Sequence, residues 1–323
     1  MRVVQAAVFG GPDVLVATEA PDLAPAANEV VIDVAAADVL FLDTIIRSGR
    51  GRDFFDVAPP YVPGGGVAGM VSAVGAGVDT AWVGRRVIAR TGVEGGYAQR
   101  AVVDGSVLTV VPPGLSLLDA AALVHDGVTA VALTEPAGLT PGKWVLVVGA
   151  AGGLGILLVQ AAAASGASVI AAARTRPKLD VARDRGARIV VDYADPDWVK
   201  QVHEAIGGAG VDVVFDGVGG ALGRAAFDLV AIGGWFSGHG NPSGEFSAIE
   251  PRSAADREVT LRDITDVQHS PDEVRRLTEG ALAASVGGRL TPVVGQTYSL
   301  DRADEAHSAI EARAGIGKTL LLT

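Results

Sequence analysis

Short apolar runs punctuated by Gly and Pro fill the chain up to about residue 115, at a spacing that predicts many short strands. Val3–Phe9, Glu29–Ala36, Val67–Val74, Arg86–Ala89 and Tyr97–Val103 are the expected strands, divided by turns such as Gly10-Gly11-Pro12, Pro63-Gly64-Gly65-Gly66 and Pro112-Pro113-Gly114. Such a pattern makes a compact β-barrel or sandwich, with one helical stretch around Val39–Ile46. After Ser116, a plausible N-cap, the period changes, and Asp119–Ala132 reads as one Ala-rich helix. Strand and helix then alternate. Val145–Gly149, Ser168–Ala173, Ile189–Asp192, Val211–Phe215 and Trp235–Ser237 are the expected strands. Leu154–Ser165, Lys178–Arg185, a face marked by Trp198, Val202, Ala205 and Ile206, and Leu222–Val230 are the expected helices. Repeated βα units with uncharged strands predict a doubly wound parallel sheet. The end of the chain is mixed, with a strand at Val259–Ile264, helices at Asp272–Ser285 and Arg302–Arg313, and a terminal strand at Lys318–Leu322. The fold class is therefore α/β. The expected division is 1–117 with 265–323 for the β-rich domain and 118–264 for the parallel-sheet domain.

Composition narrows the chemistry. The 323 residues carry 26 Lys+Arg against 37 Asp+Glu, a net charge of −11 that repels nucleic-acid backbones and anionic membranes. No partner of either kind is expected. With no cysteine, a disulfide framework, a thiolate nucleophile, an iron–sulfur cluster and Cys-ligated zinc are all excluded. Trp144–Ala173 has no charge and exceeds the ~20 residues that span a bilayer. Its glycines divide it, so buried strand, turn, helix and strand is the preferred reading over a membrane helix. No secretory signal is read before Pro12, and the cytoplasm is the expected compartment.

The most informative segment runs from Val145 through Gly149-Ala150-Ala151-Gly152-Gly153-Leu154-Gly155 into an apolar helix. Ala150, Gly152 and Gly155 stand at the three glycine positions of a dinucleotide fingerprint, the first changed to Ala. Gly152 would admit a pyrophosphate, Gly155 would allow tight helix–strand packing, and the helix N-terminus would face phosphates. Ala150, Gly152, Gly153 and Leu154 are the expected contacts, against the plainer reading of a packing turn without ligand. At the end of the second strand an NAD site would carry Asp or Glu. Arg174, Arg176 and Lys178 stand there instead, with no acid before Asp180. This favours NADPH and its 2′-phosphate over a merely solvated basic turn.

Several segments in order then bring a family into view. They are Val39-Leu40-Phe41-Leu42-Asp43-Thr44-Ile45-Ile46-Arg47-Ser48-Gly49, Pro63-Gly64-Gly65-Gly66-Val67-Ala68-Gly69, Gly95-Gly96-Tyr97-Ala98, Ala120-Ala121-Ala122-Leu123, Gly127-Val128-Thr129-Ala130, Asp216-Gly217-Val218-Gly219-Gly220 and Gly317-Lys318-Thr319. With the glycine turn, the chain resembles the zinc-free, zeta-crystallin-like quinone oxidoreductase branch of the medium-chain dehydrogenase/reductase superfamily. The resemblance implies a GroES-like catalytic domain, a Rossmann domain and an NADPH cleft between them. It places Thr129, Val218 and the Ser237-Gly238-His239-Gly240 segment near the nicotinamide, and Lys178 and Tyr193 at the 2′-phosphate. Lys318 is a further expected cofactor residue, with an ordinary surface lysine as the alternative. A homodimer through Rossmann edge strands is also implied. Zinc-dependent relatives carry a metal ligand near Leu40 and a histidine around Gly65; here both are replaced, so no metal is expected.

Without a Lewis acid, the implied reaction is hydride transfer from NADPH to a quinone or an α,β-unsaturated carbonyl, whose oxygen then needs a proton. An enoyl-thioester or biosynthetic enone reductase is the alternative enzyme; an NADPH-binding structural or regulatory protein without turnover is the alternative of another class. Leu40 stands where the family has asparagine, which separates this chain from simple quinone specificity. His125 and His239 are the expected proton donors, since imidazole titrates near neutrality, against polar loop residues. Leu40, Ile45 and Tyr61 are the expected acceptor-pocket residues, with Phe54 and Phe55 beside them; core packing is the alternative for the aromatics. His203 and His269 read as surface residues and His307 as structural.

Overall fold

The computed structural model describes residues 1–323, apart from the side chain of Val267. In chain order the first elements are β1 (Arg2–Ala6), β2 (Leu15–Glu19), β3 (Glu29–Val39), α1 (Phe41–Arg47), β4 (Gly66–Val74), β5 (Arg86–Arg90), β6 (Arg100–Asp104), β7 (Thr109–Val110) and α2 (Leu117–Leu123). Then come α3 (Asp126–Thr134), β8 (Trp144–Val148), α4 (Gly153–Ala164), β9 (Ser168–Ala173), α5 (Arg176–Asp184), β10 (Ile189–Asp192), α6 (Trp198–Ala205), β11 (Val211–Asp216), α7 (Gly220–Asp228), β12 (Val230–Gly238), α8 (Pro251–Ala255) and β13 (Thr260–Asp263). The last are α9 (Pro271–Val286), β14 (Val294–Ser299), α10 (Ala303–Glu311) and β15 (Lys318–Leu322).

Two compact units result: Met1–Gly127 with Thr278–Val286 and Pro292–Thr323, and Val128–Leu277 with Gly287–Thr291. The expected break after Leu117 differs from this division because α2 packs on β3, β4 and β15, all strands of the first unit.

The first unit is built on a seven-stranded sheet in the order β14-β15-β3-β4-β5-β7, with β6 also on β3. The long β3 is its axis: β6 pairs along Glu29–Asp33 and β15 along Ala36–Val39, both antiparallel. Alternation along β3 sends Val30, Ile32 and Val34 into a core with Val67, Val87 and Tyr97. The strand expected from Tyr97 begins at Arg100; Tyr97 and Ala98 instead pair with β1 through a single bridge at Val3.

The second unit holds a six-stranded, fully parallel sheet in the order β10-β9-β8-β11-β12-β13. Numbered from β8, this is 3-2-1-4-5-6, the doubly wound order whose switch point falls between β8 and β11. Its strands are apolar on both faces, as helices cover them; Leu146, Ile170, Val214, Phe227 and Phe236 form the core. The long uncharged stretch is thus β8, the 12-residue α4 and β9. Among the described residues no single helix is long and apolar enough to cross a membrane.

Candidate functional site

In the second unit, β8 ends at Val148 and the chain turns through Gly149, which holds φ 82°, a conformation open to glycine. Sequence reading places the first special position at Ala150, but Ala150 is fully buried and the left-handed residue is Gly149. Both residues donate their N–H to the Ala172 carbonyl on β9. Gly152 caps α4 without a side-chain acceptor, so no capping side chain takes the N–H groups of the first turn. Gly152 is exposed and Gly153 and Leu154 are half-buried, which leaves this backbone open to an anion. At Gly155 a Cβ would stand 2.3 Å from the Gly149 carbonyl oxygen, so the helix approaches the strand as closely as the fingerprint requires.

Register brings other strand ends to the same edge. Asp216 lies beside Val148 and Gly238, at the C-terminal ends of β11, β8 and β12. A Cβ on Gly149 would be 3.2 Å from Val218 Cγ2, so two predicted segments meet at the switch point. After β9, Arg174 is exposed and its guanidinium lies 5.8 Å from the centre of the Tyr193 ring. The Tyr193 N–H bonds the Ala173 carbonyl, which is how two residues distant in sequence come together. Lys178 sits in the first turn of α5, and Arg176 is engaged by Asp180 at 2.8 Å. Thr175, between the two arginines, holds φ 67° and ψ 145°, a strained conformation for a β-branched residue.

Asp216 is fully buried, and its Oδ1 accepts the N–H groups of Val218 and Gly219 at 2.9 and 3.0 Å. Burial pushes its carboxyl upward against the pull of those two N–H groups and Ser247. His239 and Gly240 both donate their backbone N–H to the Asp216 carbonyl. The His239 ring is buried, and burial drives it down to about 4 despite the Ser237 backbone. It is therefore neutral at pH 7, which corrects the expectation that it titrates near neutrality. Val218, Ser237 and Gly238 are buried as well, and Thr129 is half-buried on α3.

In the first unit a second group of polar side chains assembles, only partly foreseen. His125 lies between α2 and α3, and its Nδ1 is 2.9 Å from Asp38 Oδ2. Asp38 is fully buried near the end of β3. Lys318, which opens β15, places Nζ 3.2 Å from Asp38 Oδ2 and 3.3 Å from Asp126 Oδ1. Burial opposes the charge on Asp38, yet Lys318 and His125 overcome it and hold the carboxyl at about 2. Burial likewise works against the Lys318 ammonium, but Asp126 and Asp38 keep it above its ordinary value. Lys318 is thus not a surface lysine but the buried counter-ion of two carboxylates.

Glycines make room for this cluster. A Cβ on Gly66 would stand 2.7 Å from Asp38 Oδ1 and 2.9 Å from His125 Cε1, and one on Gly65 would be 3.4 Å from Cε1. Asp38 and Asp126 were missed in the sequence. The available signal was a lone carboxylate inside the apolar run Ala35-Ala36-Ala37-Asp38-Val39, since a buried charge requires a partner.

Of the expected pocket residues, Leu40 and Ile45 are half-buried at the start of and within α1. Tyr61 packs in the first unit's core, the alternative stated for the aromatics, and burial raises its hydroxyl to about 12. Phe55 packs against the same core, whereas Phe54 is 84% exposed. His307 is buried, with Nε2 3.0 Å from Tyr97 Oη, which in turn donates to Asp43 Oδ2 at 2.9 Å.

Two family profiles match the chain, "Alcohol dehydrogenase GroES-like domain" over residues 26–113 and "Zinc-binding dehydrogenase" over 153–280. Zinc does not fit the residues present. The chain has no cysteine, no group of three His, Asp or Glu side chains that could hold a metal ion is found among the described residues, and the Asp38–Asp126 pair already holds an ammonium. A quinone oxidoreductase from Sus scrofa is 30% identical over 100% of this chain and 98% of the relative. A 2-haloacrylate reductase from Burkholderia is 32% identical over 97% of this chain and 96% of its own length. The crystal structure of an Escherichia coli quinone oxidoreductase complexed with NADPH superposes with a TM-score of 0.92 at 28% identity, covering 100% of both chains. Built from a GroES-like unit and a Rossmann-like parallel sheet, and aligned end to end with these enzymes, the chain belongs to the quinone oxidoreductase branch of the medium-chain dehydrogenase/reductases and is an oxidoreductase.

Proposed function

We propose that this protein is an NADPH-dependent reductase that passes hydride, without a metal, to a quinone or an α,β-unsaturated carbonyl. The observation that carries the cofactor is the open turn Gly152–Leu154 at the switch point, with Arg174 over Tyr193 and no acid at the second strand end. The N–H groups of Gly153 and Leu154 would hold a pyrophosphate, and Arg174, Lys178 and Tyr193 a 2′-phosphate. NADPH, when bound, supplies a hydride to the acceptor. The reduced acceptor carries its negative charge on oxygen and needs one more proton, which His125 delivers. His239 serves as a neutral polar wall at the strand ends rather than as a source of protons at pH 7.

The two acceptor classes are both represented among the similar enzymes, one named for quinones and one for a haloacrylate, an activated C=C bond. Absorbance at 340 nm, followed with NADPH or NADH against benzoquinone, an ortho-quinone, a simple enone, 2-chloroacrylate and a trans-2-enoyl thioester, separates the readings. Preferential NADPH oxidation with a quinone or small enone is expected, and Arg174→Ala should weaken NADPH roughly tenfold while leaving NADH unchanged. Preference for NADH, or tight NADPH binding without turnover on any acceptor, would overturn the assignment. We further propose a homodimer through the edge strands of the parallel sheet, which are β10 and β13. Sedimentation velocity should give two copies, and a monomer at micromolar concentration would reject it.

A further inference from the structure

We propose that Asp38 is a positioning residue for His125: held ionised by Lys318, it fixes the imidazole as the Nδ1–H tautomer, so that Nε2 is the atom that carries and delivers the proton. The inference rests on the reductase reading above for the identity of the acceptor, but not for the state of the ring. Asp38 Oδ2 is shared, 2.9 Å from His125 Nδ1 and 3.2 Å from Lys318 Nζ. Asp38 Oδ1 has no partner among the described residues, so both contacts fall on one oxygen. A neutral ring protonated on Nε2 would aim the Nδ1 lone pair at a carboxylate at hydrogen-bond distance, which is repulsive. Only Nδ1–H is compatible with an ionised Asp38.

Every charge near the ring is consistent with a divided task. Asp38 faces it from β3 and Lys318 stands behind Asp38 on β15. Asp126 begins α3, next to His125 in the chain, and its own charge is taken by Lys318. Arg90 on β5 donates to the Val124 carbonyl at 3.4 Å, and Asp43 on α1 also senses the His125 charge. With Asp126 satisfied by Lys318, Asp38 is the carboxylate left to stabilise an imidazolium. The ring is 19% exposed, enough for exchange with water, while Nδ1 is turned inward. The step balances simply. Imidazolium gives its Nε2 proton to the oxygen of the reduced acceptor, the N–H bond breaking as O–H forms. The neutral ring keeps Nδ1–H on Asp38 and takes a new proton from water.

The test combines 15N NMR of the histidine rings in the full-length protein with the pH dependence of kcat. In the wild type, neutral His125 should show the Nδ1–H tautomer, a readout that requires no variant and no acceptor. Asp38→Asn should weaken proton binding by His125 about tenfold or more, and Lys318→Met should change it in the opposite direction, because it removes a cation that competes for the same oxygen. With a working acceptor, the pH above which kcat falls should move down in Asp38→Asn and up in Lys318→Met. An Nε2–H tautomer in the wild type, an unmoved His125 titration in Asp38→Asn, or a kcat profile that ignores a shifted titration would overturn the proposal. If no acceptor oxidises NADPH in the wild type, the reductase reading and the proton-delivery step fall together, while the tautomer is still decided by NMR.

Discussion

A methyl group on Gly66 would meet three atoms at once: Asp38 Oδ1 at 2.7 Å, Val124 Cγ1 at 2.7 Å and His125 Cε1 at 2.9 Å. The backbone at 66 is ordinary for an L-residue, so the constraint is space rather than dihedral angle. Gly66→Ala should therefore cost about 1–3 kcal/mol and push the His125 ring away from Asp38. Thermal unfolding and kcat would both drop, with NADPH affinity retained; an unchanged kcat would show that the ring position is not important. Thr175 is the opposite case. Its φ of 67° with ψ 145° suits glycine, so Thr175→Gly should raise stability by roughly 1 kcal/mol, read as a higher urea midpoint. A lower midpoint would mean that the threonine side chain is needed where it stands.

Among elements, the break between α2 and α3 matters most. Sequence reading expects one helix over Asp119–Ala132, and Ala-rich composition supports it. The structure interrupts it at Val124–His125, so that His125 turns to Asp38 while Asp126 opens α3 toward Lys318. Helical propensity yields because two buried charges need these partners. The α4–β8 contact carries the corresponding prediction in the second unit. Gly155→Val would drive a side chain into the Gly149 carbonyl, 2.3 Å from the position of its Cβ, and lift α4 from the strand. The expected result is at least about tenfold weaker NADPH binding together with a lower Tm; normal binding would detach the turn from the cofactor.

For the molecule as a whole, buried titratable groups set how stability depends on pH. His239 and His307 are driven by burial from 6.5 to about 4 and about 3. Each contributes stability that is present above 6.5 and is lost as pH falls toward the lower value. Asp43, pushed by burial from 3.8 up to about 6, acts in the other direction; its contribution is present below 3.8 and lost as pH rises through 6. Two imidazoles outweigh Asp43 and Asp216, whose carboxyl is also pushed upward by burial, so unfolding free energy should fall as pH drops from 7 toward 5, by at most roughly 1.4 kcal/mol per pH unit. Urea midpoints at pH 7 and pH 5 check this, and a flat profile would show that the imidazoles are not held neutral. Asp38, at about 2, adds a loss only under stronger acid.

The α/β class, the parallel sheet, the glycine turn and the basic strand end can be read directly from the chain, because they follow from local periodicity and from backbone demands on neighbouring residues. Ser168–Ala173, Ile189–Asp192 and Lys318–Leu322 were legible to the residue, being apolar runs with turn signals at their ends. Tertiary structure decided the rest. It put Gly149 rather than Ala150 in the left-handed turn, neutralised His239 by burial, sent Tyr61 into the core, and gathered Asp38, His125, Asp126 and Lys318 into one ionic cluster. Lys318 and Asp38 are far apart in sequence, and only the antiparallel pairing of β15 with β3 joins them. Desolvation and charge pairing act across space, through neighbours that no window along the chain contains.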